Sequence, residues 1–108
     1  MGEIPITWTT WDDGAGGSPT IIGDVDWGKL QLAVGAEGRS KVYDFGNETS
    51  RQITLTLNRY GTGQGSATLQ MRGQATIFTQ DDNVLSWENY TIPVAKTWRF
   101  IQVREIKA

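Results

Sequence analysis

Apolar and polar residues alternate with a period of two through most of the chain. Over residues 29–34, Leu30, Leu32 and Val34 fall on one side and Gln31 on the other. Over residues 52–58 the apolar set is Ile53, Leu55 and Leu57, opposite Thr54, Thr56 and Asn58. Ala67, Leu69 and Met71 alternate with Thr68, Gln70 and Arg72, and Ile101 and Val103 alternate with Phe100, Gln102 and Arg104. Successive side chains of an extended chain point to opposite faces. The pattern therefore predicts half-buried strands, each with a dry face on a core and a wet face outward. Shorter strands are expected over residues 4–10, 20–22, 41–45, 76–79 and 88–92.

Glycine clusters punctuate these segments at Gly14-Ala15-Gly16-Gly17, Gly35-Ala36-Glu37-Gly38 and Gly61-Thr62-Gly63-Gln64-Gly65. Such clusters suit tight connections. No segment sustains a helical period, and β-branched and aromatic residues crowd the strand segments. Several short strands at regular spacing predict an all-β fold, an antiparallel β-sandwich of the jelly-roll kind. Gly61–Gly65 is rich enough in glycine for a phosphate loop. It joins two alternating segments, however, and offers no helix N-terminus to a phosphate, so a hairpin connection is expected.

A length of 108 residues predicts one domain, a single sandwich module over 1–108, read as a piece of a larger protein. No run approaches the roughly 18–20 apolar residues of a membrane helix, so no membrane insertion is expected. The start MGEIPITW lacks a basic segment followed by an apolar one, so it does not read as a signal peptide. Met1-Gly2 is compatible with an addition for expression. Net charge is −2, and the bases are scattered. A duplex-binding protein needs a basic stripe to replace counterions, so no nucleic acid partner is expected. There is no cysteine and no histidine. Disulfides, thiolate metal sites, Ser-His-acid triads and nearly all zinc sites are thereby excluded. Carboxylate chemistry and oxygen-ligand metals remain.

The segment IFTQDDNVLSWENY, residues 77–90, gathers acids and aromatics between the strand SATLQMRG and the C-terminal KTWRFIQVR. This order resembles the galactose-binding-like, discoidin-type jelly rolls. There a strand leads to an acidic turn, then to a Trp and a following aromatic, then to a last strand of the form Arg-aromatic-Ile-x-Val. Arg99-Phe100-Ile101-Gln102-Val103 fits that last strand, and the resemblance spans about residues 55–106. Similar endings occur in sandwich domains of phage tail proteins and of bacterial sugar-active enzymes. The resemblance implies a turn at Asp81-Asp82-Asn83, with Trp87 and Tyr90 packed at the start of the next strand. It also implies an extracellular or virion-associated setting. A structural calcium ion is implied as an option, on carboxylates drawn from Asp12, Asp13, Asp24, Asp26, Asp81 and Asp82. Gly23–Gly28 is too short for an EF-hand loop, so no motif declares the metal. The family hosts carbohydrate-binding modules, lipid-binding domains and structural appendages, and fold alone does not choose among them.

In Trp8-Thr9-Thr10-Trp11, an extended chain sends the two indoles to opposite faces. One can plug the core while the other stands exposed beside Asp12 and Asp13, as a sugar subsite would require. Both could equally seal the sandwich end. The wet-face residues Gln31, Thr54, Thr56, Asn58, Thr68, Gln70, Arg72, Phe100, Gln102 and Arg104 would suit a polysaccharide if they shared one concave sheet. Arg72 and Arg104 would then favour an acidic polymer. An ordinary solvated sheet face is the alternative. Paired carboxylates can hydrolyse glycosides, but a small sandwich without His or Cys has few means to tune an acid, so no enzyme is expected. The expected function is a non-catalytic carbohydrate-binding module for a polysaccharide or cell-surface glycan. Trp11, Trp27 and Trp87, with Tyr60 behind them, would stack on the sugar. Asp12, Asp13, Gln102 and Arg104 would bond its hydroxyls. The alternative is a structural domain of a phage tail or other surface assembly, with aromatics and edge strands in protein contacts and no glycan.

Overall fold

The computed structural model describes residues 4–12, 18–26, 35, 37–58 and 67–107. Its strands are β1 (Ile6–Trp11), β2 (Thr20–Asp26), β3 (Glu37–Arg39), β4 (Tyr43–Asp44), β5 (Arg51–Asn58), β6 (Ala67–Gln74), β7 (Glu88–Asn89), β8 (Val94–Lys96) and β9 (Phe100–Lys107). They form two sheets packed as a sandwich. Sheet A runs β1-β2-β5-β8, and sheet B runs β3-β9-β6-β7 with β4 also on β9. β3 and β4 lie along the same edge of β9. Ser40 bridges them: its amide donates to the Val103 carbonyl at 2.8 Å, and its hydroxyl accepts from the Val103 amide at 3.0 Å.

The all-β sandwich agrees with the period-two pattern. The topology departs from a wholly antiparallel one at one place, where β2 and β5 are parallel, with Ile21 opposite Ile53 and Gly23 opposite Leu55. A parallel pair needs a crossover connection. Here the chain leaves sheet A after β2, lays β3 and β4 on sheet B, and returns beside β2 in the same direction. Changing sheets thus does the work a helix does in a βαβ unit. β5 and β6 also lie in different sheets, so they do not pair as the hairpin expected across residues 59–66. Those residues, and the strand expected over 29–34, lie outside the described part. Residues 76–79, expected as a strand, are not one. β8 was not foreseen, because three residues after Pro93 are too few to show a period.

The core takes Ile21, Val25, Ile53 and Leu55 from sheet A and Met71, Ile101 and Val103 from sheet B, with Ile4 from the segment before β1. Each such side chain, fully buried, contributes about 1.5–3 kcal/mol. Trp8 packs against this cluster. It sits opposite Gly23 in the β1–β2 register, where an added Cβ would come within 2.8 Å of its ring and 2.9 Å of Leu55. Tyr43 and Phe45 meet the same indole edge-on at 5.7 and 5.2 Å. Trp8 is therefore the inward tryptophan, and Trp11, on the opposite face of β1, is exposed.

Candidate functional site

The polar strand positions do not share one face. Thr54 and Thr56 stand on the outside of sheet A, whereas Gln70, Arg72, Gln102 and Arg104 stand on the outside of sheet B, across the core. The concave surface expected from their union is not formed. The two faces differ in kind.

The outer face of sheet B is covered rather than wet. Residues 75–87 run across it as a strap. Arg72 and Gln102 have no exposed surface, and Phe100 and Phe78 are nearly as buried. The Arg72 Nε donates to Gln102 Oε1 at 2.8 Å and its Nη1 to the Leu85 carbonyl at 3.0 Å. The Gln102 amide donates in turn to the Ser40 and Gln80 carbonyls at 2.8 and 3.0 Å. Arg39 reaches the Gln80 and Asp82 carbonyls at 3.0 and 3.2 Å and Asn83 Oδ1 at 2.9 Å. One strap carbonyl, that of Gln80, thus receives both Arg39 and Gln102, with Arg72 at the 3.5 Å limit. Along the row Arg39–Arg104–Gln70–Asn89, Glu37 accepts from Arg39 at 3.0 Å and from Arg104 at 2.6 Å. Arg104 then donates to Gln70, and Gln70 to Asn89, both at 2.7 Å.

Trp87 ends the strap over three guanidinium groups. Its ring centroid lies 4.2 Å from Arg72, 4.4 Å from Arg104 and 5.6 Å from Arg39. All fall within the roughly 6 Å reach of a cation–π contact. Burial pulls Arg72 below the ordinary arginine range, and the neighbouring positive charges of Arg39 and Arg104 add to this against Asp82 and Glu37. Arginine nevertheless stays protonated in proteins, so the face holds a charge that must be solvated from within. The strap carbonyls and the indole do this. Such a network fixes the strap; it does not present arginines to a ligand.

The acidic turn has a local role as well. Asp82 Oδ1 accepts the amides of Val84 at 2.8 Å and Leu85 at 3.0 Å, as the sequence led us to expect of a turn carboxylate. These bonds hold the Asp82 carboxyl below the usual range. Asp44 is lowered too, first by its paired bonds with Arg99 at 2.8 and 3.0 Å and then by the Gly46 amide. Gly46 has a φ of +91°, which favours glycine after that Asp. A carboxyl lowered in the folded state stabilises it above the unfolded value, about 3.9 for Asp. That contribution is lost as pH falls through the folded value. The urea midpoint should therefore hold level from neutral pH down to about pH 5 and fall below about pH 4. Asp82→Asn keeps an oxygen for the turn amides but not the charge, so its midpoint should fall less steeply with acid. An identical slope in wild type and variant would remove Asp82 from this account.

The outer face of sheet A is exposed at Thr7, Thr9, Trp11, Gln52 and Thr56 and half-buried at Thr20, Ile22, Asp24 and Thr54. Its rows, read across the sheet, are Trp11–Thr20–Gln52, Thr9–Ile22–Thr54 and Thr7–Asp24–Thr56. Most of these side chains are β-branched, which restricts χ1 and limits the freedom of their methyl and hydroxyl groups. Trp11 is 58% exposed at the end of this array. Around it, Thr20 donates to Gln52 Oε1 at 3.4 Å and the Ser18 hydroxyl to Ser50 at 2.9 Å. Sequence reading singled out Trp11 but not Thr9, Thr20 or Gln52 as its neighbours. The repeated Thr-Trp-Thr and Thr-Leu-Thr of β1 and β5 carried a signal for the face, but which strands lie side by side is a tertiary fact.

Among the expected site residues, then, Trp11 and Asp12 are exposed, Trp87 and Arg104 are half-buried in the strap network, and Gln102 is inaccessible. Trp11 and Trp87 belong to different faces and cannot line one groove. Asp13, Trp27 and Tyr60 lie outside the described residues. Among the described residues no three carboxylates gather to hold a metal ion, so the optional calcium has no cluster there. The described residues also hold no helix long and apolar enough to cross a membrane. Compared with known proteins, the chain matches no family model, no curated protein and no solved structure.

Proposed function

We propose that the protein is a non-catalytic carbohydrate-binding module whose ligand lies on the outer face of sheet A. The observation that carries this reading is Trp11, 58% exposed and in one cross-strand row with Thr20 and Gln52. An indole face receives the apolar C–H face of a pyranose, and neighbouring hydroxyl and amide groups bond the sugar hydroxyls. The face suits a chain lying along it. Affinity from one such patch is modest, and copies on one particle would raise it. In this reading Gln102, Arg104 and Trp87 act in the fold and not on the glycan, and Asp12 is the acid placed to assist Trp11. The galactose-binding-like jelly roll and the extracellular or virion setting remain part of the proposal. They rest on the acidic turn, the Trp87 segment and the last strand, not on a matched relative.

Native affinity electrophoresis against a panel of polysaccharides tests it. Trp11→Ala should weaken retention at least about tenfold, or about 1.4 kcal/mol. Its urea midpoint should stay put, because exposed surface substitutions usually change stability by less than about 0.5 kcal/mol. Equal retention of variant and wild type would take the glycan off this face. A second reading is favoured by Ile77, Val84 and Ile92, exposed at 77%, 91% and 70%. Apolar side chains this open suit protein contacts in a surface assembly. Self-association in sedimentation, together with no retention by any polymer, would favour it.

A further inference from the structure

We infer that the Trp11 patch selects glycan chains bearing an acetamido group, as N-acetylhexosamine polymers do, over chains that carry hydroxyls alone. The inference rests on the carbohydrate reading and names the substituent that the patch recognises.

Hydrogen bonding in the row Trp11–Thr20–Gln52 has a fixed sense. The Thr20 hydroxyl gives its one proton to Gln52 Oε1 at 3.4 Å. Its oxygen then keeps lone pairs to accept with and has no proton left to give. Gln52 has the opposite balance. Its amide oxygen is engaged by Thr20, while its amide nitrogen carries two protons and bonds nothing among the described residues. An acceptor on β2 and a donor on β5 thus stand side by side, on strands about 4.8 Å apart. The backbone holds this pair in register: Thr20 is the parallel partner of Gln52, whose amide N–H donates to the Pro19 carbonyl at 2.9 Å.

A secondary amide is the complement of such a pair. Its N–H and its carbonyl leave opposite edges of one planar group, so the N–H can donate to Thr20 Oγ1 while the carbonyl accepts from Gln52 Nε2. A sugar hydroxyl can meet either partner, but it does not span both with a donor at one end and an acceptor at the other. The acetamido group also carries a methyl. Ile22 follows Thr20 two residues along β2, on the same face and half-buried, and gives that methyl an apolar neighbour. Trp11 heads the row, 58% exposed, and receives the pyranose ring from which the arm projects. The patch therefore reads ring, amide and methyl together, and each has its own partner.

The test runs wild type, Trp11→Ala and Gln52→Glu in native affinity electrophoresis against glycol chitin and hydroxyethyl cellulose. The two polymers share a β-1,4-linked backbone and differ in the acetamido group. Wild type should be retained by glycol chitin at least about tenfold more strongly than by hydroxyethyl cellulose. Trp11→Ala should lose retention by both. Gln52→Glu keeps an oxygen for Thr20 but has no amide protons, so its retention by glycol chitin should fall roughly fivefold, as for one lost hydrogen bond. Its urea midpoint should stay near that of wild type, because Gln52 is exposed. Equal retention of wild type by both polymers, weakened for each in Trp11→Ala, would overturn the acetamido selectivity while leaving the glycan reading intact. So would Gln52→Glu held by glycol chitin as tightly as wild type. Retention by neither of these polymers, nor by any other in the panel, would overturn the glycan reading and the selectivity with it.

Discussion

Arg72→Ala is expected to lower folding stability by about 3–5 kcal/mol, in the range for truncating a large, fully buried side chain to alanine. The reason is what the guanidinium leaves behind. Gln102 Oε1 and the Leu85 carbonyl lose their donor, and Trp87 loses the cation 4.2 Å from its ring. A buried acceptor without a partner costs about 1–3 kcal/mol. Small domains lose roughly 4–8 °C of Tm per kcal/mol, so the variant should melt more than about 12 °C below wild type. Arg72→Lys should do little better. A lysine keeps the charge but lacks the planar fork that reaches Gln102 and Leu85 together. Arg99→Ala, which breaks an exposed pair, is the comparison and should move the midpoint far less. Urea denaturation decides the matter. An Arg72→Ala midpoint close to that of Arg99→Ala would mean that the strap is held by something other than this network.

The second large effect is expected at Gly73. It lies on β6 opposite Ile101, and a Cβ there would run into the Trp98 indole and the Phe100 carbonyl. The indole could turn aside, but the carbonyl belongs to β9 and cannot. Gly73→Ala should therefore cost about 1–3 kcal/mol as an overpacked site, although one methyl group is all that is added. The constraint is space and not backbone conformation, since Gly73 has no positive φ. Trp98→Ala in the same background should show coupling of about 0.5–3 kcal/mol, because the two residues share one volume. Additive losses in that double-mutant cycle would place the clash wholly on the Phe100 carbonyl.

Parts of this were legible in one dimension. Ile53 and Leu55 had to share a face with each other and not with Thr54, and they are in the core. An extended segment sends Trp8 and Trp11 to opposite faces, and they do part, although the sequence left open that both seal the sandwich end. Asp82 at a turn had to find local amides, and it bonds those of Val84 and Leu85. Each of these rests on geometry within a few residues, where the period of an extended chain or the reach of a short side chain decides the outcome.

Other parts were not. Arg72, Gln102 and Arg104 alternate with core residues as Thr54 and Thr56 do, and alternation alone makes all of them wet. Covering or exposure depends on what crosses the face afterwards. Only the fold brings residues 75–87 over sheet B, with Arg39 and Ser40 supplying the far end of the network. Sheet membership was hidden for a like reason. β5 pairs with β2 in parallel and β6 with β9, and neither pairing follows from the turn between β5 and β6. By itself the sequence determined an all-β chain, apolar core positions such as Ile53, Leu55, Met71, Ile101 and Val103, and the exclusion of His and Cys chemistry, because these follow from composition and a two-residue period. The tertiary structure decided which polar face is sealed by arginines and which is open around Trp11, because that depends on contacts between residues far apart in the chain.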